Sequence, residues 1–287
     1  MNILNQFFTM KDLENIAFMA VGLLFVWLLK VVSDWYVKGK HDFDSNHAIE
    51  EDSNIGAGVR RGGIYLAMFI AMTAPLSGPG NGFLTDLVAV GLDGAIALVL
   101  IMGALWVSDN FLLRGICNTS AIKKGNVAVG LIDAGAAIAT GLIARGALTG
   151  TGGVETTIVF FLLGQVALVI CFKLYELITP FDDNKEISEG NASCGLLFAG
   201  IMIALGFILS ATVAGDFSSW NQDLMEFAID ATKGIVGLIV LSYLIDRLFL
   251  PNTDITTEVE RDKNSAAIAL VIAVKIGFAL MISAAII

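Results

Sequence analysis

The chain has 287 residues, of which 56% are hydrophobic and only 15% are charged, and its mean hydropathy is +0.79. A soluble domain of this length needs far more polar surface, so the composition excludes an ordinary soluble domain and indicates an integral membrane protein. The net charge of −10 argues against nucleic acid as a partner and leaves the lipid bilayer as the expected surroundings.

Eight apolar runs follow one another, each close to the ~20 residues that a membrane-spanning helix needs. They lie at 15–34, 55–75, 84–108, 127–147, 156–176, 193–214, 224–245 and 265–287. The first lacks the basic region and small-residue cleavage site of a signal peptide, so we expect a retained helix. The runs are continuous and do not alternate, which argues against strands. The sequence predicts an all-α, polytopic integral membrane protein with eight transmembrane helices.

The connections between the runs are of two kinds. Those after the second, fourth and sixth runs are short and contain no Lys or Arg. The other four are longer and hold nine basic residues: Lys38, Lys40, Arg114, Lys123, Lys124, Lys185, Arg247, Arg261 and Lys263. Positive charge in loops marks the cytoplasmic side, so we expect these four loops in the cytoplasm and both termini outside. The same loops carry more acid than base, but acids contribute little to orientation.

The long loops resemble one another. Each ends on an asparagine, preceded four or five positions earlier by a branched aliphatic residue; the asparagines are Asn54, Asn126, Asn191 and Asn264. The run before each loop ends on an acid: Asp34, Asp109, Glu176 or Asp246. These coincidences predict four hairpin repeats, 1–75, 76–150, 151–215 and 216–287, which form one membrane domain. Because each has an even number of spans, we expect parallel repeats about an axis along the membrane normal.

The repeated asparagine has two interpretations. Asparagine is a good helix N-cap, because its side chain accepts hydrogen bonds from otherwise unpaired amides of the first turn. The other interpretation is a direct role in binding a ligand. Small residues follow each asparagine, which allows close helix packing in either case.

The hairpins also resemble a known family. Two-span units joined by an acidic loop, with ISEGNAS or IKKGNVA at the start of the second span, resemble the YjfL-like bacterial inner-membrane proteins, the family of domain of unknown function 350. The resemblance covers nearly all of the chain, as four hairpins where the smallest members have two. It implies an inner-membrane component linked to membrane stress, because members often neighbour phage-shock, membrane-stress and polyamine genes, but it implies no mechanism. The first and fourth hairpins depart from the EGN pattern and read EDSN and RDKN.

Ionisable residues fall inside the apolar runs, where a charge is costly and needs a partner or water, and we select five of them as buried charge candidates. They are Arg61, Asp93, Asp133, Asp230 and Lys275. Arg61 and Asp133 each lie seven residues after their asparagine, so the sequence predicts an Arg61–Asp133 ion pair between repeats. Lys275 lies deeper, with Asp230 and Asp93 as expected partners.

Two interpretations of these charges remain open. Buried pairs fix the register of similar helices, whereas a polar track conducts a cation or a proton. A separate pair on one helix, Glu226 with Lys233, is also expected.

Signatures of enzymes and cofactor sites are missing. We find no P-loop, zinc-protease, serine-hydrolase or paired-cysteine pattern and expect no enzyme activity, no cofactor and no metal. Asp42, Asp44 and Asn46 are spaced like the start of a calcium loop, but His47 and Ser53 occupy the positions that need Gly and Glu.

Two functions follow as hypotheses. The first is a transporter or channel for a small cation (a proton, an alkali cation or a polyamine), based on the buried charges. The second is a non-transporting scaffold whose acidic loops recruit a basic cytoplasmic protein of the stress response. A homo-oligomer is possible in both cases, since stripes such as Gly58/Gly62 and Gly135/Ala139 can pack helices within or between chains.

Overall fold

The computed structural model describes residues 10–77, 80–113, 115–251 and 253–286. Within these ranges it contains no strand and eight long helices, each long and apolar enough to cross a membrane. They are α1 (Met10–His41), α2 (Ile55–Leu76), α3 (Phe83–Phe111), α4 (Val127–Thr149), α5 (Val154–Ile178), α6 (Ala192–Val213), α7 (Trp220–Phe249) and α8 (Ser265–Ile286). The predicted all-α polytopic membrane fold is confirmed. Arg114, one of the predicted topology markers, lies outside the described residues.

The first helix of each hairpin is longer than its apolar run. α1 has 32 residues, which at ~1.5 Å per residue is about 48 Å, well beyond the ~30 Å hydrocarbon core. α7 likewise extends past both predicted ends, 224 and 245, to Trp220 and Phe249. Hydropathy marks only the part of a helix that suits lipid, whereas the hydrogen-bonded helix continues through its polar ends.

Each long loop contains a short helical segment that hydropathy does not predict. The segments are Ser45–Glu50, Asn118–Lys123, Asp183–Ser188 and a π-helical turn at Thr257–Arg261. Asp44 caps the first, because its carboxylate accepts hydrogen bonds from the amides of His47 and Asn46 at 3.2 and 3.1 Å. The His47 amide, together with Lys38, holds the pKa of Asp44 below its usual value.

The eight helices form two layers. The second helices of the hairpins stand side by side as an inner row in the order α2, α4, α6, α8. The first helices lie against this row, with α3 packed on α2 and α4, α5 on α4 and α6, and α7 on α6 and α8. The most apolar window of α4 is 83% buried and that of α8 only 28%, so α4 lies inside the row and α8 at its end.

Neighbouring helices of the inner row meet in one repeated register. The ninth residue after each asparagine faces the eighth residue after the next one, as in the pairs Gly63–Ala134, Gly135–Ala199 and Gly200–Ile272. A Cβ atom added to Gly63 would lie 2.5 Å from the Cα of Ala134, so only glycine permits this approach. Because equivalent positions meet each time, the inner helices are parallel and successive hairpins are related by the same step.

The asparagines cap the inner helices. The side-chain oxygen of Asn54 accepts a hydrogen bond from the Ala57 amide at 3.0 Å, and Asn126 accepts one from the Val129 amide at 3.0 Å. Asn191 and Asn264 cap α6 and α8 in the same way. All four therefore lie at one end of the bundle, which we call the asparagine end; the opposite end is the turn end.

Three of the asparagines also join one loop to the next, a bond that the cap interpretation does not include. The side-chain amide of Asn54 donates to the carbonyl of Ile122 at 2.8 Å. Asn126 donates to Ile187 at 2.8 Å and Asn191 to Val259 at 2.7 Å. Ile122, Ile187 and Val259 are the branched aliphatic residues that precede the next asparagine. We call these three bonds the asparagine ladder.

Candidate functional site

The four acids that end the apolar run of each first helix are all in ion pairs. Asp34 pairs with Arg61, Asp109 with Arg60, Glu176 with Lys173 and Asp246 with Lys275. These pairs lie toward the asparagine end, where each first helix finishes. The sequence shows the acids as a repeated feature, but not their partners.

The pair of Arg60 with Asp109 belongs to a buried cluster between α2, α3 and α4. Arg60 Nη2 lies 2.7 Å from Asp109 Oδ1, and Arg60 Nε lies 3.1 Å from Asp133 Oδ2. The three side chains are 11%, 11% and 5% exposed for Arg60, Asp109 and Asp133. One guanidinium therefore bridges two carboxylates that come from different hairpin helices.

Two neutral side chains complete the cluster. The amide of Asn118 donates to Asp133 Oδ1 at 2.7 Å, and Arg60 Nη1 donates to the hydroxyl of Thr119 at 2.9 Å. Both residues begin the short helix Asn118–Lys123 and are fully buried. We call Arg60, Asp109, Asn118, Thr119 and Asp133 the charge cluster. Asn118 and Thr119 carry no sequence signal of this role, because they lie in a polar loop.

The predicted Arg61–Asp133 ion pair is wrong by one residue, because Arg60 takes that place. The α2 stripe that faces α4 runs through Gly56, Arg60 and Gly63. Arg61 lies about 100° further round the helix and points to α1, where it pairs with Asp34 and donates to Asn46 Oδ1 at 2.7 Å.

The predicted partners of Lys275 are also wrong. Its ammonium lies 3.0 Å from Asp246 on α7, and the residue is 1% exposed. Helical side chains lean toward the N-terminus of their helix, so Lys275 reaches back toward the asparagine end, where α7 finishes. Asp230 and Asp93 lie further toward the turn end, so the Lys275 side chain points away from them.

Asp93 and Asp230 are half-buried and do not belong to the charge cluster. Asp230 pairs with Lys233 at 3.0 Å, one turn along its own helix. The expected Glu226–Lys233 pair is therefore replaced, and Glu226 accepts a hydrogen bond from Gln222 at 2.9 Å instead. Within the described ranges, Asp93 has no ion-pair partner.

Two clefts reach the charge cluster from the asparagine end. One, of about 300 Å³, lies between α1, α2 and α3 and is lined by both ion pairs Asp34–Arg61 and Asp109–Arg60. The other, of about 400 Å³, is lined by Lys40, His41, Cys117 and the cluster residues Asp109, Asn118 and Thr119. Asp109 borders both clefts, so it is the member of the cluster nearest to solvent.

Toward the turn end the cluster is closed by tight packing. α4 continues from Asp133 with small and apolar side chains that are buried against α2 and α6. One polar contact interrupts this packing, the hydroxyl of Thr140 lying 3.3 Å from Gln165 Oε1 on α5. Thr140 lies seven residues from Asp133, about 10 Å along the helix.

These features define an α-helical, multi-pass membrane protein built from an internal repeat, with one buried charge cluster in its first half. The sequence profile described as Domain of Unknown Function (DUF350) matches the chain twice, over residues 5–148 and 149–286. The chain therefore belongs to the DUF350 family and contains two copies of its domain, each with two hairpins. Neither the curated proteins nor the solved structures gave a match.

Proposed function

We propose that the protein is a transporter or channel for a small cation, with the charge cluster as the cation-binding site. The observation that carries this proposal is the charge balance of the cluster. Two carboxylates, Asp109 and Asp133, face one guanidinium, Arg60, in a space that water scarcely reaches. An uncompensated negative charge in such a place is costly, so the cluster favours uptake of a proton or another small cation.

The other charged groups around the cluster do not neutralise its excess negative charge. Lys40 and His41 on α1 line the cleft beside Asp109, and Lys40 is an exposed lysine whose ammonium lies 3.0 Å from the Tyr36 hydroxyl. Arg61, which follows Arg60 in the chain, forms its ion pair with Asp34. No other cation is in contact with Asp133 within the described residues.

The orientation belongs to the same proposal. The basic residues of the long loops favour a cytoplasmic asparagine end, with both termini outside, in a bacterial inner membrane. The two clefts then connect the cluster with the cytoplasm.

A route to the other side needs helix movement, and the structure suggests its polar steps. Thr140 and Gln165 would be the first, since the side-chain nitrogen of Gln165 is buried without a hydrogen-bond partner among the described residues. The second is a cleft of about 300 Å³ at the turn end, which Asp216, Glu226 and Asp230 line.

Ion flux into liposomes tests this function. Purified protein in liposomes should carry protons, alkali cations or spermidine faster than protein-free liposomes. Asp133→Asn keeps the shape of the side chain but removes the excess charge, and should lower the flux about tenfold, because the loss of one contact to a charged group costs at least about 1.5 kcal/mol of cation affinity. Asp52→Asn, in an exposed loop, is the matched control and should leave it unchanged. Flux that is equal in the wild type, Asp133→Asn and empty liposomes contradicts the proposal.

A scaffold that recruits a basic cytoplasmic protein is the second candidate, and a specific observation favours it. The charge cluster is closed toward the turn end, as expected if the buried pairs only hold helices together. Acids in the long loops (Glu50, Glu51, Asp52, Asp182 and Asp183), of which Asp183 is half-buried and the others are exposed, would then provide the binding surface. A partner should co-purify at low salt, dissociate at high salt and be lost when these acids are neutralised. Absence of any partner at low salt contradicts this function.

A further inference from the structure

The two helices at the ends of the inner row, α2 and α8, each have one face without a neighbouring inner helix. In the interior, residues two, nine and thirteen positions after one asparagine meet residues four, eight and fifteen positions after the next. Examples are Gly56 with Gly130 and Ala67 with Gly141. α8 therefore has one unused half of this interface, and α2 has the other.

All but one of the unused positions carry small residues, as most positions of the interior interfaces do. On α8 the second, ninth and thirteenth positions are Ala266, Ala273 and Gly277. On α2 the fourth and eighth positions are Gly58 and Gly62, and the fifteenth is the large residue Phe69, which by this register would lie opposite Gly277. A Cβ atom added to Gly58, Gly62 or Gly277 would meet nothing within 4 Å. Their interior counterparts are crowded: a Cβ atom added to Gly195, the counterpart of Gly58, would lie 2.5 Å from the Cα of Ala128.

The asparagine ladder is unfinished at the same two ends. Asn264 caps α8 through its oxygen, but its amide nitrogen has no acceptor among the residues that the structure describes. Ile49 occupies the position of Ile122, Ile187 and Val259 in its own loop. No side-chain amide of the described residues donates to the Ile49 carbonyl. One chain thus holds an unused donor at one end of the row and an unused acceptor at the other.

We propose that α8 of one copy packs on α2 of a second copy, head to tail, and that Asn264 donates to the Ile49 carbonyl across this contact. The contact repeats the register found three times within the chain, so the row of parallel inner helices continues from one molecule into the next. Its two surfaces differ, so the assembly either closes as a ring or extends as a row. This proposal does not rest on ion transport.

A second copy fits these surfaces better than lipid does. Lipid tails do not fill the space beside glycine as closely as a second helix does, and the Ile49 carbonyl of a second copy would replace the water around the exposed Asn264 amide. A different partner protein would have to reproduce both the spacing of the small residues and the position of the carbonyl. A second copy of this chain provides both, because the same register of small residues and asparagine already forms between its own hairpins.

Disulfide cross-linking tests the geometry. Ala273→Cys and Gly62→Cys are each placed in a background in which Cys117, Cys171 and Cys194 are replaced by alanine. By the interior register, residues 273 and 62 meet as Gly63 meets Ala134, within reach of a disulfide. Each single variant alone should stay monomeric on oxidation. An equal mixture of the two should give a cross-linked dimer, and the double variant a ladder or a closed ring.

The control pair is Ala273→Cys with Phe69→Cys. Phe69 lies on the same face of α2 as Gly62 but seven residues further on, about 10 Å away, so this mixture should not cross-link. A monomer in the mixture of Ala273→Cys and Gly62→Cys, or equal cross-linking of the control pair, overturns the proposal. Cross-linking of Ala273→Cys with itself would indicate a two-fold dimer and would overturn it as well.

Two further variants separate assembly from folding. Gly62→Leu meets no neighbour within the chain, so it should fold and yet block assembly, whereas Gly91→Leu, also in open space on α3, should leave assembly intact. Asn264→Asp keeps the cap oxygen but removes the donor, and should weaken association about fivefold in dilution experiments, the effect of one hydrogen bond. Unchanged association in both Gly62→Leu and Asn264→Asp contradicts the proposed contact.

Discussion

The two DUF350 domains of the chain share a fold but neutralise an equivalent acid with different basic residues. In both, the third helix of the domain carries an acid in its last turn, Asp109 in the first and Asp246 in the second. Asp109 meets an arginine from the helix before it, and Asp246 meets a lysine from the helix after it. The acid is thus common to both domains, whereas its basic partner comes from α2 in the first domain and from α8 in the second.

The second carboxylate separates the two domains further. The positions of Arg60 and Asp133 are occupied in the second domain by Leu197 and Val271. Phe198 fills the space beside Leu197 and packs its ring 5.4 Å from that of Phe172. At the equivalent place the second domain therefore holds one carboxylate with one ammonium, Asp246 with Lys275, whereas the first holds two carboxylates around one guanidinium. The proposed cation-binding site therefore has no counterpart at the equivalent positions of the second domain.

The largest expected effect is the loss of the arginine. Arg60→Leu copies the second domain at this position but leaves Asp109 and Asp133 buried without their cation, and should destabilise the protein by about 3–5 kcal/mol. Thermal unfolding in detergent measures it. The double variant Arg60→Leu/Asp133→Asn removes one of the two orphaned charges and should recover part of the loss. Equal stability of the wild type and Arg60→Leu would show that the two domains do not differ in this respect.

Removal of the base from the second domain should have a smaller effect. Lys275→Met leaves Asp246 without its cation, but this side chain is 29% exposed and can be solvated, so we expect a loss of about 1–3 kcal/mol. Adding Asp246→Asn should restore most of it. If Lys275→Met lowered the free energy of unfolding as much as Arg60→Leu does, the Asp246–Lys275 pair and the charge cluster would not differ in their dependence on the base.

The asparagines allow a comparison of the interior of the row with its end. Asn126→Ala removes a cap and a ladder bond, and should destabilise the protein by about 2 kcal/mol. Asn264→Ala removes only the cap within one chain, and should cost about 1 kcal/mol. Both are measured by unfolding in dilute detergent, with the protein monomeric. Equal losses would mean that the ladder bond contributes nothing.

The smallest effect concerns the first loop of each domain. Asp44 and Asp182 cap the corresponding short helices. The pKa of Asp44 is lowered in the folded protein, mainly by the amide of His47, so its contribution is present above its unfolded pKa of about 4 and is lost as the pH falls through the folded value. Asp44→Ala should lower the hydrogen-exchange protection of the His47 amide near neutral pH, but not in acid. A difference that persists in acid contradicts the cap.

The sequence predicts most of the fold and about half of the site. Eight apolar runs and the repeated asparagine give the helices, the hairpins and the caps, because these depend on local composition. Neighbouring residues such as Arg60 and Arg61 differ by about 100° around a helix. The sequence pattern does not define the contact face accurately enough to show which of the two faces α4. The ladder is not visible in the sequence either, because its acceptors are backbone carbonyls, which every residue possesses.

The asparagine ladder has a consequence for how the protein is made. Each donor precedes its acceptor in the chain, so a hairpin that emerges from the ribosome finds the previous asparagine already in the membrane. The molecule can be assembled one hairpin at a time during translation, each new unit docking on a finished surface. Gene duplication adds units with the same ease, because every copied hairpin brings its own connector.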